Sequence, residues 1–567
     1  MSDEQLVKEK LSKDEQLKKD SNYLRGTLAE SLKDPLTGAI DPNDGKLIKF
    51  HGSYQQHDRD LESERKRQKL ELLYQFMVRV RAPGGITQPN QWVALDEISS
   101  QYADGTIKLT TRQSFQFHGI LKRNLKTSLK RINEILMTTL ATCGDVNRNV
   151  MCTPNPYQSG VHEEVYDFAK VLSEHLLPKT MAYHEIWLDG TPLGGTHDVE
   201  PLYQDRYLPR KFKIAIAIPP RNDIDVFAND LGFIAIEENG KLKGFNVCVG
   251  GGLGNTLGDD STYPRLADVI GFVTTDKVVE VAETVIAIQR DYGNREERKN
   301  ARLKYTLDRM GLEWFVNELH ERLGWELENS RAYHFSTNGD QYGWLKGSNG
   351  KWFYTLFVEN GRVKDEDDYQ MKKALREVAE MLDGDFRLTG NQNLIIANVL
   401  QKDKRKIESI LSKNGVLNNP KLTGLRKNSM ACVALNTCGL AFAESERYLP
   451  SLISKMDEIM RKNDLENNEI NIRMTGCPNG CARSYLGEIG FVGRAIGRYN
   501  LYLGASHNGD RLNVLYKEML SEEEILDTLA PMIAAYARER EEGEHFGDFV
   551  IRKGLIEHTK RPMQIMR

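Results

Sequence analysis

Two stretches of this chain are written twice at an almost constant offset. Lys108-Leu109-Thr110-Thr111-Arg112-Gln113 is echoed by Arg387-Leu388-Thr389-Gly390-Asn391-Gln392, 279 positions later. NRNVMC, ending at Cys152, is echoed by KNSMAC, ending at Cys432, 280 positions later. Both copies of the first motif run on into strand-like sequence, SFQFHGI and NLIIANV. One echo could arise by chance, but two kept in step point to duplication and a pseudo-two-fold arrangement. Only the second copy carries a cysteine cluster. The first has Arg148 and other polar groups instead, so the halves divide the labour.

Around the repeats, strand and helix signals alternate. FMVRVRA, KFKIAIAIP, GFNVCVG, KWFYTLFVENGRV and EINIRM read as strands. VVEVAETVIAIQRDY, YQMKKALREVAEML and ERYLPSLISKMDEIMRK read as helices, and Ser521 with Glu524 forms a capping box for a last one. Asn360-Gly361 predicts a two-residue hairpin turn. A chain of 567 residues exceeds one hydrophobic core and suits three or four domains. The fold class is α+β.

Composition removes several function classes. A net charge of −4 gives no case for nucleic acid or membrane binding, and no apolar run approaches the roughly 18–20 residues of a membrane span. The N-terminus has no apolar core, so no secretory signal is read, and seven cysteines are too few for a disulfide framework. A cytoplasmic, reducing location follows. Residues 1 to about 70 are charged and poor in large apolar side chains, and they read as an extended arm for subunit or partner contact. The basic run Arg65-Lys66-Arg67, flanked by Glu64 and Lys69, reads as a solvated helix face.

Chemistry concentrates near the C-terminal end. Cys432 and Cys438 form C-x5-C, and Cys477 and Cys481 form C-x3-C around Pro478-Asn479-Gly480. Four thiolates from two loops suit a cubane iron–sulfur cluster, one ligand per iron. Zinc also takes four thiolates but favours a two-residue spacer, and unligated thiols are the third reading. Cys143, Cys152 and Cys248 read as buried small residues. On predicted strands, Arg79 and Arg81 share one face, and so do Lys211, Lys213, Ala215 and Ala217, opposite Phe212, Ile214, Ile216 and Ile218. A face that is cationic and then small leaves space for something bulky and anionic; edge protection is the plainer alternative. Gly250-Gly251-Gly252-Leu253-Gly254 lacks dinucleotide-site register and reads as a tight loop or a close approach to a flat ligand. No Walker A, HExxH or GxSxG motif occurs.

These residues together resemble a family. Cys432-x5-Cys438 with Cys477-Pro-Asn-Gly-Cys481, TTRQSFQFHG, NRNVMCTPNP and LPRKFKIAI are similar to the sulfite and nitrite reductases that couple sirohaem to a 4Fe–4S cluster. The likeness runs from about residue 60 and is greatest to haemoprotein (β) subunits of assimilatory NADPH-dependent sulfite reductases. It implies one cluster on Cys432, Cys438, Cys477 and Cys481, with Cys481 also on the iron of one sirohaem. It implies substrate contacts from Arg79, Arg148, Lys211 and Lys213, and macrocycle contacts from Arg112, Gln113, His118 and Asn479. It also implies a division into an arm (1–70), duplicated ferredoxin-like half-domains (71–140 with 345–420), a sirohaem and substrate domain (141–344) and a cluster and sirohaem-binding domain (421–567), that is, three mixed α/β domains with cofactors at their junction. The expected activity is reduction of sulfite to sulfide for cysteine biosynthesis. No flavin or nicotinamide fold is read here, so NADPH, FAD and FMN are expected on a partner flavoprotein (α) subunit. A ferredoxin-dependent sulfite or nitrite reductase is the alternative on the same scaffold. A zinc-stapled RNA-binding protein is disfavoured by cysteine spacing and by the lack of an RNP-type aromatic platform.

Overall fold

The computed structural model describes residues 11–154, 160–190, 198–417 and 422–557. Its frame is four five-stranded sheets in two related pairs, with one small two-stranded sheet beside them. The first sheet orders Ser53–His57, Tyr74–Val80, Phe115–Ile120, Ile107–Leu109 and Arg362–Val363, all antiparallel. Its counterpart orders Gly343–Lys346, Trp352–Leu356, Leu394–Val399, Asp385–Leu388 and Ile86–Thr87. Each sheet thus takes its last strand from the other copy.

That exchange corrects the expected hairpin at Asn360-Gly361. Both residues adopt the left-handed backbone the dipeptide favours, with φ of 49° and 71°. The strand that follows pairs with Ile107–Leu109 in the other sheet instead of folding back on Trp352–Leu356. Both edges of Trp352–Leu356 are already taken by its neighbours, so the turn chemistry sets a reversal while the free edge elsewhere sets the partner. Gly84 and Gly85, with φ of 61° and 77°, make the matching turn in the first copy. A side chain at Gly85 would strike the Leu388 carbonyl, and one at Gly361 would strike the Leu109 carbonyl, so both crossings need glycine.

The second pair of sheets carries the chemistry. One orders Met151–Cys152, Ile214–Ala217, Leu231–Glu238, Lys241–Val249 and Asp268–Thr274; the other orders Ser429–Ala431, Ile472–Thr475, Ile489–Ala495, Arg498–Leu503 and Val514–Leu520. In both, the first three strands are parallel and the rest antiparallel. The two copies of the second motif therefore end in equivalent edge strands. The alternation read in KFKIAIAIP holds: Phe212, Ile214, Ile216 and Ile218 enter the largest core, while Ala215 and Ala217 enter a smaller one on the opposite face. The strand itself begins only at Ile214; Phe212 is held ahead of it by backbone bonds to Val146 and Arg148.

The helices fall as read, at Val278–Tyr292, Met371–Ala379 and Leu449–Lys462, and the capping box at Ser521 opens Glu522–Glu539. The N-terminal arm lies along the body rather than free of it. Leu24, Leu28, Leu47, Ile48 and Phe50 join the main core, and Ser53–His57 forms a sheet edge. Each such apolar side chain stabilises the fold by about 1.5–3 kcal/mol, so removing residues 1–60 would test folding before it tested docking. The basic run sits on the exposed helix Glu62–Arg67, with Lys66 and Arg67 paired to Glu62 and Glu64 as a solvated face requires.

Candidate active site

Parallel pairing of Ser429–Ala431 with Ile472–Thr475 brings both cysteine loops to one end of a sheet. Cys432 follows the first strand directly, and Cys477 follows the second by two residues. The Gly476 N–H points at Cys432 Sγ and the Asn479 amide at Cys477 Sγ, each at 3.4 Å. Such bonds orient sulfur ligands and stabilise their negative charge. Arg59 of the arm donates to the carbonyls of Cys438 (3.1 Å) and Ala441 (2.7 Å), fixing the remaining loop. The Cys481 carbonyl accepts from Thr111 Oγ1 at 2.9 Å, so the first copy's motif holds the second copy's cysteine.

Burial, then charge from the other cysteines, pushes the thiols of Cys432, Cys438 and Cys477 up, the last to about 11. The four sit within electrostatic reach of one another but not in a zinc arrangement. Four sulfurs on one zinc ion, at about 2.3 Å each, would lie roughly 3.8 Å apart. Among the described residues, the three metal-type ligand atoms found within 4.8 Å of one another belong to Glu488, His507 and His545, not to cysteines. The wider set fits a polynuclear cluster.

A cavity opens beside Cys481. Its wall includes five cations, Arg112, Lys211, Lys213, Arg302 and Arg483, and no carboxylate. Arg302 and Arg483 are anchored from behind by Asp230 and Asp225. Lys211 and Lys213 make no hydrogen bond or ion pair through their ammonium groups among the described residues, and Arg112 keeps a buried Nε without a partner. Burial followed by like charge from Arg210 and Arg302 pushes Lys211 down to about 7. Burial, then Arg112 and Lys211, holds Lys213 well below the usual lysine range. Unpaired cations packed against each other fit an anion of many carboxylates together with an oxyanion. Leu253 and Gly254 of the glycine run form part of this wall, and Gly254 approaches the Asn479 carbonyl so closely that an added Cβ would lie 3.1 Å from it. A larger hollow of about 470 Å³ lies away from the cysteines, where Arg290 and Arg295 are already bonded to Asp291 and Glu15.

These charges predict a pH effect. Lys211 titrates near 7 in the folded chain and near 10.4 when unfolded. Between those values the unfolded chain binds more protons, so the cofactor-free protein gains stability as pH rises; below 7 the full penalty stands. Lys211→Met is expected to flatten that rise in Tm between pH 7 and 9. Identical slopes in both proteins would show that the ammonium already has a counter-charge.

The other expected site residues divide. Arg79 and Arg148 converge on one turn: Arg79 reaches Cys143 Sγ (2.9 Å) and the Thr142 carbonyl, and Arg148 reaches the Gly144 and Thr142 carbonyls. Asn479 lines the cavity. Gln113 does not; its amide bonds both backbone groups of Cys152 and the Leu388 carbonyl, making it a strut between the copies. His118 lies at the cysteine loop, 3.5 Å from Thr437 Oγ1, with burial followed by Arg362 pushing it down to about 3. Arg302, Lys304 and Arg483 were not read from the sequence. Arg483 stands two residues past Cys481 and was readable; Arg302 and Lys304 come from a segment with no motif of its own.

Comparison with known proteins agrees with this geometry. The profile described as "Nitrite/Sulfite reductase ferredoxin-like half domain" matches residues 68–135 and 346–425, spanning both copies of the first motif. "Nitrite and sulphite reductase 4Fe-4S domain" matches residues 168–327. The sulfite reductase (NADPH) hemoprotein beta-component of Geobacillus thermodenitrificans is 61% identical over 549 residues, 96% of each chain. That of Staphylococcus saprophyticus is 59% identical over 554 residues, 97% of each. The solved structure of the Mycobacterium tuberculosis NirA protein superimposes with a TM-score of 0.78 at 25% identity, over 96% of this chain and 97% of that one. No helix among the described residues is long and apolar enough to cross a membrane. The chain belongs to the family of nitrite and sulfite reductases that carry sirohaem and a 4Fe–4S cluster.

Proposed function

We propose that this chain is the haem-bearing subunit of an assimilatory NADPH-dependent sulfite reductase, reducing sulfite to sulfide in the cytoplasm for cysteine biosynthesis. The observation that carries this reading is the carboxylate-free cationic cavity that ends at the Cys481 thiol. Cys432, Cys438, Cys477 and Cys481 would hold the cluster, and Arg112, Arg302 and Arg483 would meet the carboxylates of sirohaem. Bound there, the two groups would supply an iron that holds sulfur and a store that passes electrons singly.

The protein's own residues do the rest. Sulfur falls from +4 to −2 as its three oxygens leave as water, so the site must hold an anion, concentrate negative charge and deliver protons. Lys211 and Lys213, together with Arg79 and Arg148, offset that charge where water is scarce and each contact counts for more. An ammonium depressed towards neutrality, as at Lys211, gives up a proton to a leaving oxygen and is refilled from solvent. Arg79 and Arg148, with planar guanidinium forks, fix orientation. Burial disfavours free thiolates at Cys432, Cys438 and Cys477, so iron capture must displace their protons, and assembly is coupled to pH. Electrons from NADPH reach this chain through a flavoprotein partner that carries FAD and FMN.

The test is kcat/KM for sulfite and for nitrite on cofactor-loaded protein with reduced methyl viologen. A clear preference for sulfite, with sulfide as product, is expected. Preference for nitrite with ammonia as product would keep the site but move the enzyme to nitrogen reduction.

A further inference from the structure

Arg79 leaves the Tyr74–Val80 strand directly opposite Gln116 of Phe115–Ile120. Cross-strand partners face the same side of a sheet. With its amide oriented by these neighbours, the Gln116 side-chain oxygen accepts from Arg79 Nε at 3.0 Å and also from Nη2. Two donors of one guanidinium are thus held by a single acceptor. The remaining edge, Nη1, points to Cys143 Sγ at 2.9 Å and to the Thr142 carbonyl at 3.4 Å. Gln116 is only 7% exposed, so its amide cannot swing out to water.

The chemistry of this hold matters more than its presence. Among the described residues, buried guanidinium groups commonly meet a carboxylate: Arg302 meets Asp230, Arg473 and Arg483 meet Asp225, and Arg362 meets Glu446. No carboxylate among the described residues pairs with Arg79. A neutral amide fixes the plane of the fork and leaves its charge uncancelled, which suits a group that must attract an anion. Neither Gln116 nor Arg79 lines the cavity itself, but Arg79 lies within electrostatic reach of Cys481, and Gln116 is bonded to that guanidinium, so it acts through Arg79.

We propose that Gln116 is the positioning residue for Arg79, a buried neutral acceptor that aims the guanidinium at the substrate oxyanion without neutralising it. This rests on the reading above that Arg79 meets the oxyanion. The experiment is a double-mutant cycle on the cofactor-loaded enzyme with Gln116→Met, Arg79→Met and both together. Each is read by kcat/KM for sulfite, by sulfite affinity from the shift in haem absorption, and by carbon monoxide binding to the reduced protein. Gln116→Met, which keeps the volume and removes the acceptor, is expected to weaken sulfite affinity about tenfold, as loss of an outer partner commonly does. Carbon monoxide, having no charge to attract, should bind as before. Adding Gln116→Met to Arg79→Met should cost nothing more.

Undiminished sulfite affinity in Gln116→Met would overturn the proposal, and so would a loss that persists in full when Arg79 is already gone. Matching loss of carbon monoxide binding would also overturn it, because the damage would then be general. If Arg79→Met itself left sulfite affinity unchanged, the assignment of Arg79 to the substrate would fall, and this inference with it.

Discussion

Cys481→Ser is expected to abolish sulfide formation while leaving the fold in place. Cys481 is the exposed member of the four, and it alone lines the cavity. Its loop is held through the backbone, by Thr111 on the Cys481 carbonyl, and that bond survives the substitution. Serine removes one sulfur and little else, so the cofactor-free chain should keep its stability within about 0.5 kcal/mol, as exposed substitutions usually do. A hydroxyl is a poor ligand for iron beside thiolates. Turnover with reduced methyl viologen should fall by more than the roughly 10–100-fold that loss of an outer partner costs. Iron and acid-labile sulfide per chain, measured beside sulfide release, would separate loss of the cluster from loss of its link to the haem. A serine variant with wild-type turnover would remove Cys481 from any bridging role.

Lys213→Met should move activity and stability in opposite directions. The ammonium faces the cavity unpartnered, with Arg112, Lys211 and Arg302 adding like charge. The Lys213 backbone N–H, which donates to Asp230 at 2.9 Å, is untouched by the change. Removing a preorganised donor at a site of developing charge typically costs about 10²–10³ in kcat, and kcat/KM for sulfite is expected to fall in that range. In the cofactor-free chain the same substitution relieves desolvation and repulsion together, so Tm should rise. Scanning calorimetry of that form and sulfide release by the loaded enzyme give the two readings. A lower Tm would mean that the ammonium has a stabilising partner, and unchanged turnover would take Lys213 out of the reaction.

The legible parts of this protein were those written locally. The cysteine pairs, the doubled motifs and the alternation of Lys211 and Lys213 against Phe212 and Ile214 are all short-range patterns, and each appears in the structure as a sheet end or a two-sided strand. What depended on distant neighbours was harder to read. Asn360-Gly361 announced a reversal but could not say which sheet had a free edge. Gln113, in the same motif as cavity-lining Arg112, turns away because its left-handed backbone (φ 51°) swings the amide to Cys152 and Leu388. The arm looked too polar to pack, yet several of its few apolar residues, Leu24, Leu28 and Phe50 among them, reach the core, while Leu36 stays exposed. Arg302 and Lys304 gave no signal, because what makes them site residues is a loop some fifty positions earlier, the Gly251–Gly254 carbonyls they hold.

The exchanged edge strands have a consequence during synthesis. The first sheet has four of its strands once Ile120 has left the ribosome, but its fifth, Arg362–Val363, follows roughly 240 residues later. At about 5–20 residues per second, that delay is roughly 12 to 50 s. Through that interval the nascent chain carries an open Ile107–Leu109 edge, a template for mispairing with other strands. The second sheet waits for nothing, since its borrowed strand, Ile86–Thr87, is made first. The two halves therefore mature unequally despite their symmetry, and the vulnerable stage belongs to the half made earlier.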